Sequence, residues 1–382
     1  MFECAGIAAD AIAALEVWVV RLPVRTRRAH GIGDIGGAVE NVILRLTTEG
    51  GLIGWGEASP WPAFTGTAGA AVAALDVQLR PLLLGADPRR VSAIMANADA
   101  MLVGQPEAKA ALEMALFDLL GKQARLPVAE LLGGRCRDRL ALSVSLANPD
   151  FEADLVYAQD LVDRGVGIFK VKTGVAGHAF DMHRLETLRM RFGASIDLRI
   201  DYNQGLQPEV ALRCLRDIEQ FAPTFIEQPV PAHCWQAMAR ITANIDTPIL
   251  ADESVFDACD ARRAIEAGIC DAISVKVMKS GGMRACQRVS AVAQSAGLPC
   301  YGGDMFETGL AHLAGVHLVA ATPNVRLGCE YYQASFYLQE DLLAEPFPVD
   351  NGEIVVPTTP GLGMAVDEDK LARMGQRVSS RR

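Results

Sequence analysis

The chain has 382 residues, half of them hydrophobic and 21% charged, with a formal net charge of −10. That composition supports a sizeable core and excludes extended disorder, and the acidic balance argues against a nucleic-acid partner or an anionic membrane surface. Nine cysteines lie scattered without zinc-ribbon or disulfide-scaffold spacing, which predicts reduced thiols in a cytoplasmic protein.

The N-terminal stretch is apolar but carries Glu3 and Asp10 and no basic region, so it does not read as a signal peptide; no run of about twenty apolar residues suggests a membrane span. Arg25, Arg27 and Arg28 read as a solvated face. Gly31 to Gly36 fits G-x-G-x-x-G, but a strand-like stretch, Val39 to Leu46, follows where a nucleotide site needs a helix. A glycine-rich lid, with His30 and Asp34 in it, is the better reading. Glu40 to Leu46, the turn Glu49-Gly50-Gly51 and Leu52 to Glu57 then form a hairpin. Helical periodicity follows over Ala68 to Leu79, ending before Pro81, and over Gln105 to Gln123. Residues 1–139 are therefore expected to form an α+β capping domain.

From Leu140 the texture changes to short apolar runs, each followed by an amphipathic stretch. The runs are Leu140–Ser145, Ile168–Lys172, Leu198–Asp201, Thr224–Glu227, Ile249–Asp252, Ala272–Lys276, Pro299–Gly302 and Val325–Glu330. Their ends recur about every 25 residues, the length of one strand, one helix and two loops. Eight such units predict an α/β fold, a (β/α)8 TIM barrel over residues 140–341. The Pro- and Gly-containing tail, 342–382, is expected to return to the cap. His312 and His317 lie in an apolar helical run and read as core or surface histidines rather than ligands, and Cys329 as a small packing residue.

In such barrels the chemistry sits at the C-terminal ends of the strands. Those ends carry Lys170 and Lys172, Asp201 with Asn203, Glu227, Asp252 with Glu253, Lys276, and Glu330. Lys170 and Lys172, at i and i+2, share a strand face and point into the barrel mouth. Asp201, Glu227 and Asp252 would converge from three successive strands, and like charges so placed raise one another's pKa. A hard divalent cation, Mg²⁺ or Mn²⁺, resolves this; with no His or Cys in the set, zinc fits less well. Lys172 and Lys276 flank that position as acid/base groups, and Lys170 could tune Lys172 and attract an anionic substrate. The combination suits removal or delivery of a proton alpha to a carboxylate, with the resulting enediolate stabilised by the cation.

The segments FKVKTG, RIDYNQG, FIEQPV, ILADES and SVKVMKSGG, with GWGEASP near the start and TPGLGMAVDEDKLARM near the end, resemble the enolase superfamily and, within it, the muconate lactonising enzyme subgroup. The resemblance spans nearly the whole chain. It implies Mg²⁺ or Mn²⁺ at Asp201, Glu227 and Asp252, acid/base lysines at Lys172 and Lys276, a cap that closes over the barrel and selects the substrate, and a homo-oligomer. LGCEYYQASFYLQEDLLAEPF is similar to the muconate cycloisomerase pattern, but Glu330-Tyr331-Tyr332-Gln333-Ala334 makes a more polar pocket than that branch carries. Glu330, Tyr332, Asn203, Ser145, Asp304 and His30 are the candidate substrate-binding residues. A cycloisomerase-like isomerase or lyase acting on a small carboxylate is the leading expectation. A racemase or epimerase of an N-acylamino acid, dipeptide or proline-type acid, a hydroxy-acid dehydratase, and a non-catalytic metal-binding barrel are the alternatives.

Overall fold

In Ile12–Pro23 the buried residues Ile12, Leu15, Val17, Val20 and Leu22 anchor a long strand in the core. This computed structural model describes residues 10–379. The strand pairs antiparallel with Ala38–Thr48, from Ile12 opposite Thr48 to Pro23 opposite Ala38, and that strand turns back through Gly50 and Gly51 into Ile53–Ala58. Gly375–Ser379, from the far end of the chain, pairs along the other edge of Ile12–Pro23.

The helix Pro106–Ala124 crosses this sheet at Ile53–Ala58. A Cβ on Gly56 would lie 1.9 Å from the carbonyl oxygen of Ala111, and one on Gly54 would lie 2.4 Å from that of Ala115. The two glycines around Trp55 thus let helix backbone rest directly on strand backbone. The earlier helical stretch runs on past its expected end: Ala68–Ala73, a wide turn over Ala74–Leu79, and Arg80–Leu83 are continuous. Pro81 is tolerated because it falls in the first turn of the last segment.

Eight parallel strands follow: Ser143–Leu146, Ile168–Lys172, Asp197–Asp201, Ile226–Glu227, Ile249–Ala251, Ala272–Val275, Cys300–Gly302 and Val325–Cys329. They neighbour one another in chain order, and a bridge between Leu142 and Cys329 closes the ring. The chain is a TIM-type barrel with a strand-rich N-terminal cap. The first expected strand is split. Arg139–Ala141 leaves the barrel and pairs antiparallel with Glu353–Val355, where Arg139 is ion-paired to Asp350 and Glu353.

Inside the ring, Phe225, Leu250, Ala272 and Tyr301 form a small buried cluster. Arg199 stacks over Phe225 and Tyr301 and donates to the carbonyl of Leu327 at 2.6 Å. This layer fills the barrel interior, so charged side chains further along the strands stand on a packed floor.

The cap is tied to the barrel at several points. Glu57, at the end of the third cap strand, is fully buried and accepts from Asn41, from the backbone N–H groups of Thr308 and Ala311, and from the Thr308 hydroxyl. It caps the helix Gly309–Ala321 of the barrel, so two orphan N–H groups of that helix are satisfied by a residue of the other domain. The expected lid is a small hairpin, Arg28–His30 against Gly33–Ile35. It is sewn to the barrel by Ala29 N–H donating to Ala147 O at 3.0 Å and Arg25 N–H to Tyr337 O at 2.9 Å. No helix among the described residues is long and apolar enough to cross a membrane.

Candidate active site

Register fixes the first part of the site. Lys172 pairs with Asp201 across the second and third barrel strands, and Asp201 pairs with Glu227 across the third and fourth. Asp252 follows directly on the fifth strand. Side chains at paired positions of a parallel sheet lean the same way, so one lysine and three carboxylates meet above the floor layer. All three carboxylates are buried.

Lys170 lies below them. Its Nζ is 3.1 Å from Asp201, 2.7 Å from Glu227 and 2.8 Å from Glu330. Burial would lower its pKa, but Asp201, Glu227 and Glu330 outweigh that and hold it well above the ordinary range. This corrects one expectation. Lys170 does not line the cavity and cannot greet an anionic substrate; it is a fixed counter-charge under the acids. Periodicity gave its facing but not its depth.

Lys172 and Lys276 do line the cavity. Lys172 Nζ lies 2.5 Å from Asp201 Oδ2 and donates to Asn203 Oδ1 at 2.9 Å. Asn203 is itself held by Asp201 Oδ1, which accepts its N–H at 2.8 Å, and by Glu253, to which its amide donates at 3.2 Å. Lys276, directly after the sixth strand, is ion-paired with Asp252 at 2.6 Å. Burial lowers its pKa, and Asp252 and Glu227 more than reverse that. The two ammonium groups reach the cavity from the second and sixth strands of the ring.

The acids fit a hard cation. Burial pushes Glu227 well above the carboxylate range, and Asp201 and Asp252 reinforce the shift. Its Oε1 is buried without a hydrogen-bond partner, as is Oε2 of Glu253. An orphaned carboxylate oxygen among three acids is the donor set that Mg²⁺ or Mn²⁺ takes. Burial likewise raises Glu253 to about 7, with Asp252 and Asp201 adding to it. For Asp252 burial is overcome by Lys276 and Lys279, which hold it down at about 2.

Two residues outside the expected set brace this half. Lys279 donates to the Asp252 carbonyl at 2.7 Å and to its Oδ1 at 2.8 Å. Gln228 accepts the N–H groups of Asp252 and Ser254, both at 3.1 Å, and so joins the fourth and fifth strand ends. Both sit in motifs that sequence reasoning singled out, FIEQPV and SVKVMKSGG. The spacing of the charges, however, does not say which neighbours hold them.

The other half of the cavity is aromatic. His30 of the lid, Trp61 after the third cap strand, and Phe306 after the seventh barrel strand pack edge to face, with ring centroids 5.2 to 5.7 Å apart. Phe64, Ser145, Tyr332 and Gln333 complete the wall. His30 is thus brought to the site; burial, and then Lys172 and Arg28, push its pKa well down. Asp34 is not: it lies on the outer side of the lid, paired with Arg27. Arg28 departs from the solvated-face expectation. It is buried, donates to the Tyr332 hydroxyl, and stacks over the Tyr337 ring with 3.9 Å to the centroid.

Glu330 and Asp304 also line the cavity. Glu330 is held by Lys170. Asp304, Glu307 and His312 form a buried group whose ligand atoms all lie within 4.8 Å of one another. His312 Nε2 is 3.5 Å from Asp304 Oδ2 and 3.8 Å from Glu307 Oε2. His312 is therefore part of a polar cluster behind the pocket. His317 is a packing residue, with Ala129 N–H donating to its Nδ1 and Nε2 lying 3.1 Å from Leu362 O.

Two family descriptions match this chain: the mandelate racemase / muconate lactonizing enzyme N-terminal domain over residues 14–133, and the enolase C-terminal domain-like family over residues 154–370. The chain belongs to the mandelate racemase / muconate lactonizing enzyme family. Among relatives, an L-Ala-D/L-Glu epimerase of Bacillus subtilis (strain 168) is 33% identical, covering 85% of this chain and 89% of that one. Among solved structures, a muconate cycloisomerase from Azorhizobium caulinodans is 47% identical, with a TM-score of 0.85, covering 96% of this chain and 99% of that one. A muconate lactonizing enzyme from Pseudomonas fluorescens, complexed with muconolactone, is 33% identical, with a TM-score of 0.93, covering 96% and 100%. The chain is an enolase-superfamily enzyme of the muconate cycloisomerase-like type, and members of that superfamily use a divalent metal.

Proposed function

We propose that Asp201, Glu227 and Asp252 hold one Mg²⁺ or Mn²⁺ ion, and that Lys172 and Lys276 move a proton at the carbon alpha to a substrate carboxylate. The observation that carries this is the pair of ammonium groups entering one cavity from the second and sixth strands, on either side of three buried acids. When bound, the cation neutralises charge that develops on the carboxylate as the α-carbon loses its proton.

The chain's own groups do the rest. Asn203 holds Lys172 Nζ in place, and Glu253 holds Asn203. Lys170 fixes the acids from below, and the aromatic wall with the lid excludes water. One lysine takes or gives the proton; the other serves the opposite face or stabilises the developing charge. Asn203, Ser145, Glu330, Tyr332, Asp304 and His30 contact the substrate in this reading. Residues 1–139 and the tail 342–382 act together as the closing cap on the barrel 140–341. The free thiols fit a cytoplasmic enzyme; in this reading it is a homo-oligomer with a small carboxylate as partner.

Within this chemistry, muconate-type cycloisomerisation is the leading reaction. The test is incubation with cis,cis-muconate and Mn²⁺, followed by ultraviolet absorbance, beside a screen of carboxylates for α-proton exchange in heavy water read by NMR. Turnover or exchange that disappears in Lys172→Ala and Lys276→Ala supports the assignment. Exchange at the wild-type rate in both folded variants would remove it. One observation favours 1,1-proton transfer as a second reading: the two lysines approach from opposite sides, as inversion at one carbon requires.

A further inference from the structure

The two cavity amines stand on different backbones. Lys276 leads straight into a helical turn, Val277–Ser280, and its carbonyl accepts the N–H of Ser280 at 3.1 Å. Regular structure therefore fixes the peptide that carries it. Lys172 ends its strand, and no helix begins until His178. Gly174 and Gly177 lie between, at φ +78° and +90°, which keeps this segment out of a helix. The carbonyl of Lys172 is taken instead by a side chain.

That side chain is Arg184, on the helix His178–Phe192, and it is 4% exposed. It donates to the carbonyl of Lys172 at 2.6 Å and to that of Leu146, the last residue of the first barrel strand, at 3.3 Å. Asp154, on the helix Phe151–Asp163 and as deeply buried, accepts from it at 3.0 Å and also accepts the N–H of Asn148 at 3.1 Å. The guanidinium lies 5.5 and 5.7 Å from the ring centroids of Phe151 and Phe180. Asp181, on the same helix, accepts the N–H of Gly174 at 2.9 Å.

A buried ion pair is a poor source of stability, because desolvation offsets what the charges gain, and apolar side chains of like volume often serve as well. The place of this one is therefore informative. A single planar fork joins the ends of the first two strands at the peptide that carries Lys172. Asp201 and Asn203 hold the same residue by its amine. Lys172 is gripped at both ends, whereas Lys276 has its helical turn and Asp252.

We propose that Arg184, backed by Asp154, is a positioning residue for Lys172 alone. It fixes the peptide from which that amine reaches the cavity, so proton transfer on the face served by Lys172 depends on it and transfer on the face served by Lys276 does not. This rests on the proton-transfer reading of the two lysines.

The test uses readouts that a general loss of packing would not give. Arg184→Lys keeps a positive charge beside Asp154, but one ammonium group cannot span both carbonyls. Asp154→Asn is the second variant, and circular dichroism checks both folds. The first measurement needs no substrate: acetic anhydride labels the cavity amines, and mass spectrometry reads the rates. In Arg184→Lys the amine of Lys172 labels several-fold faster, while the rate at Lys276 stays as in wild type. The second measurement is α-proton exchange in heavy water with saturating Mg²⁺, read by NMR on the L and D forms of N-acetylalanine, proline and alanylalanine. Arg184→Lys lowers kcat by about 10- to 100-fold for the enantiomer that Lys172→Ala silences, and leaves the enantiomer that Lys276→Ala silences within about threefold. Asp154→Asn gives a smaller loss at the same enantiomer. Equal loss at both enantiomers, no loss at either, or unchanged labelling of Lys172 each overturns the inference and leaves Arg184 a packing residue. If wild type neither exchanges any of these acids nor turns over cis,cis-muconate, the proton-transfer reading falls, and the labelling rates alone uphold or overturn the positioning of Lys172 by Arg184.

Discussion

The two halves of the cavity are built by different rules. The acid half takes one or two side chains from the end of each successive strand, and the sheet's register places Lys172 beside Asp201 and Asp201 beside Glu227. The aromatic half is gathered from the lid, the segment after the third cap strand, and the loops after barrel strands seven and eight. Nothing but tertiary contact holds these four pieces together. In the proposed function the reaction falls to the ring and selection to the cap edge, a division the barrel architecture favours.

The strongest way to break this comparison is to remove the acid/base groups. Lys172→Ala or Lys276→Ala lowers α-proton exchange by about 100- to 10,000-fold, the usual worth of a positioned proton-transfer group, while circular dichroism stays unchanged. Loss of similar size from a cap substitution alone would erase the distinction between the halves. Next comes the ion. Loss of a residue that supports a metal ligand costs about 10- to 100-fold in metal affinity, so Glu227→Gln, at a residue proposed to hold the ion itself, weakens Mn²⁺ binding by more than that, read by paramagnetic resonance titration.

The edge is tested at Gly31. A Cβ there would lie 2.2 Å from the carbonyl oxygen of Tyr202 and 2.6 Å from that of Asn203. Gly31→Ala therefore displaces the lid and lowers kcat/KM by about 10- to 100-fold, while Mn²⁺ binding is retained. If Mn²⁺ binding falls as well, the halves are not separable at this contact.

The smallest effect is thermal. Glu113, on the helix Pro106–Ala124, accepts the N–H of Arg284 at 3.2 Å, and burial raises it to about 7. A carboxyl raised on folding binds its proton more tightly in the native state. Its stabilising share is therefore full near and below the unfolded value of about 4.5 and is lost as pH rises through about 7. Glu113→Gln does not titrate, so its melting temperature gains on wild type between pH 5 and pH 8. The gain corresponds to at most about 3 kcal/mol. A difference that is flat with pH would assign Glu113 an unperturbed carboxyl.

These contrasts explain how much of the molecule could be read from its residues. The barrel and the positions of Asp201, Glu227, Asp252, Lys172 and Lys276 were legible because strand ends carry charge at a regular interval, and a parallel sheet converts that interval into proximity. The depth of Lys170 was not legible: alternation says which way a side chain points, not whether carboxylates close over it. Arg28 was misread because its aromatic partners, Tyr332 and Tyr337, lie some three hundred positions away in the chain. Trp61 and Phe306 were missed for the same reason, since single aromatics in separate loops carry no periodic signal. His312 looked like one apolar-helix residue among others; only the turn of Gly309–Ala321 against the loop bearing Asp304 and Glu307 gives it polar company.

Gly31 touches the very peptide groups that carry Asn203, and Asn203 steadies the amine of Lys172. The hairpin's backbone and the loop that steadies the Lys172 amine therefore share one close seam, with no room for even a methyl group between them.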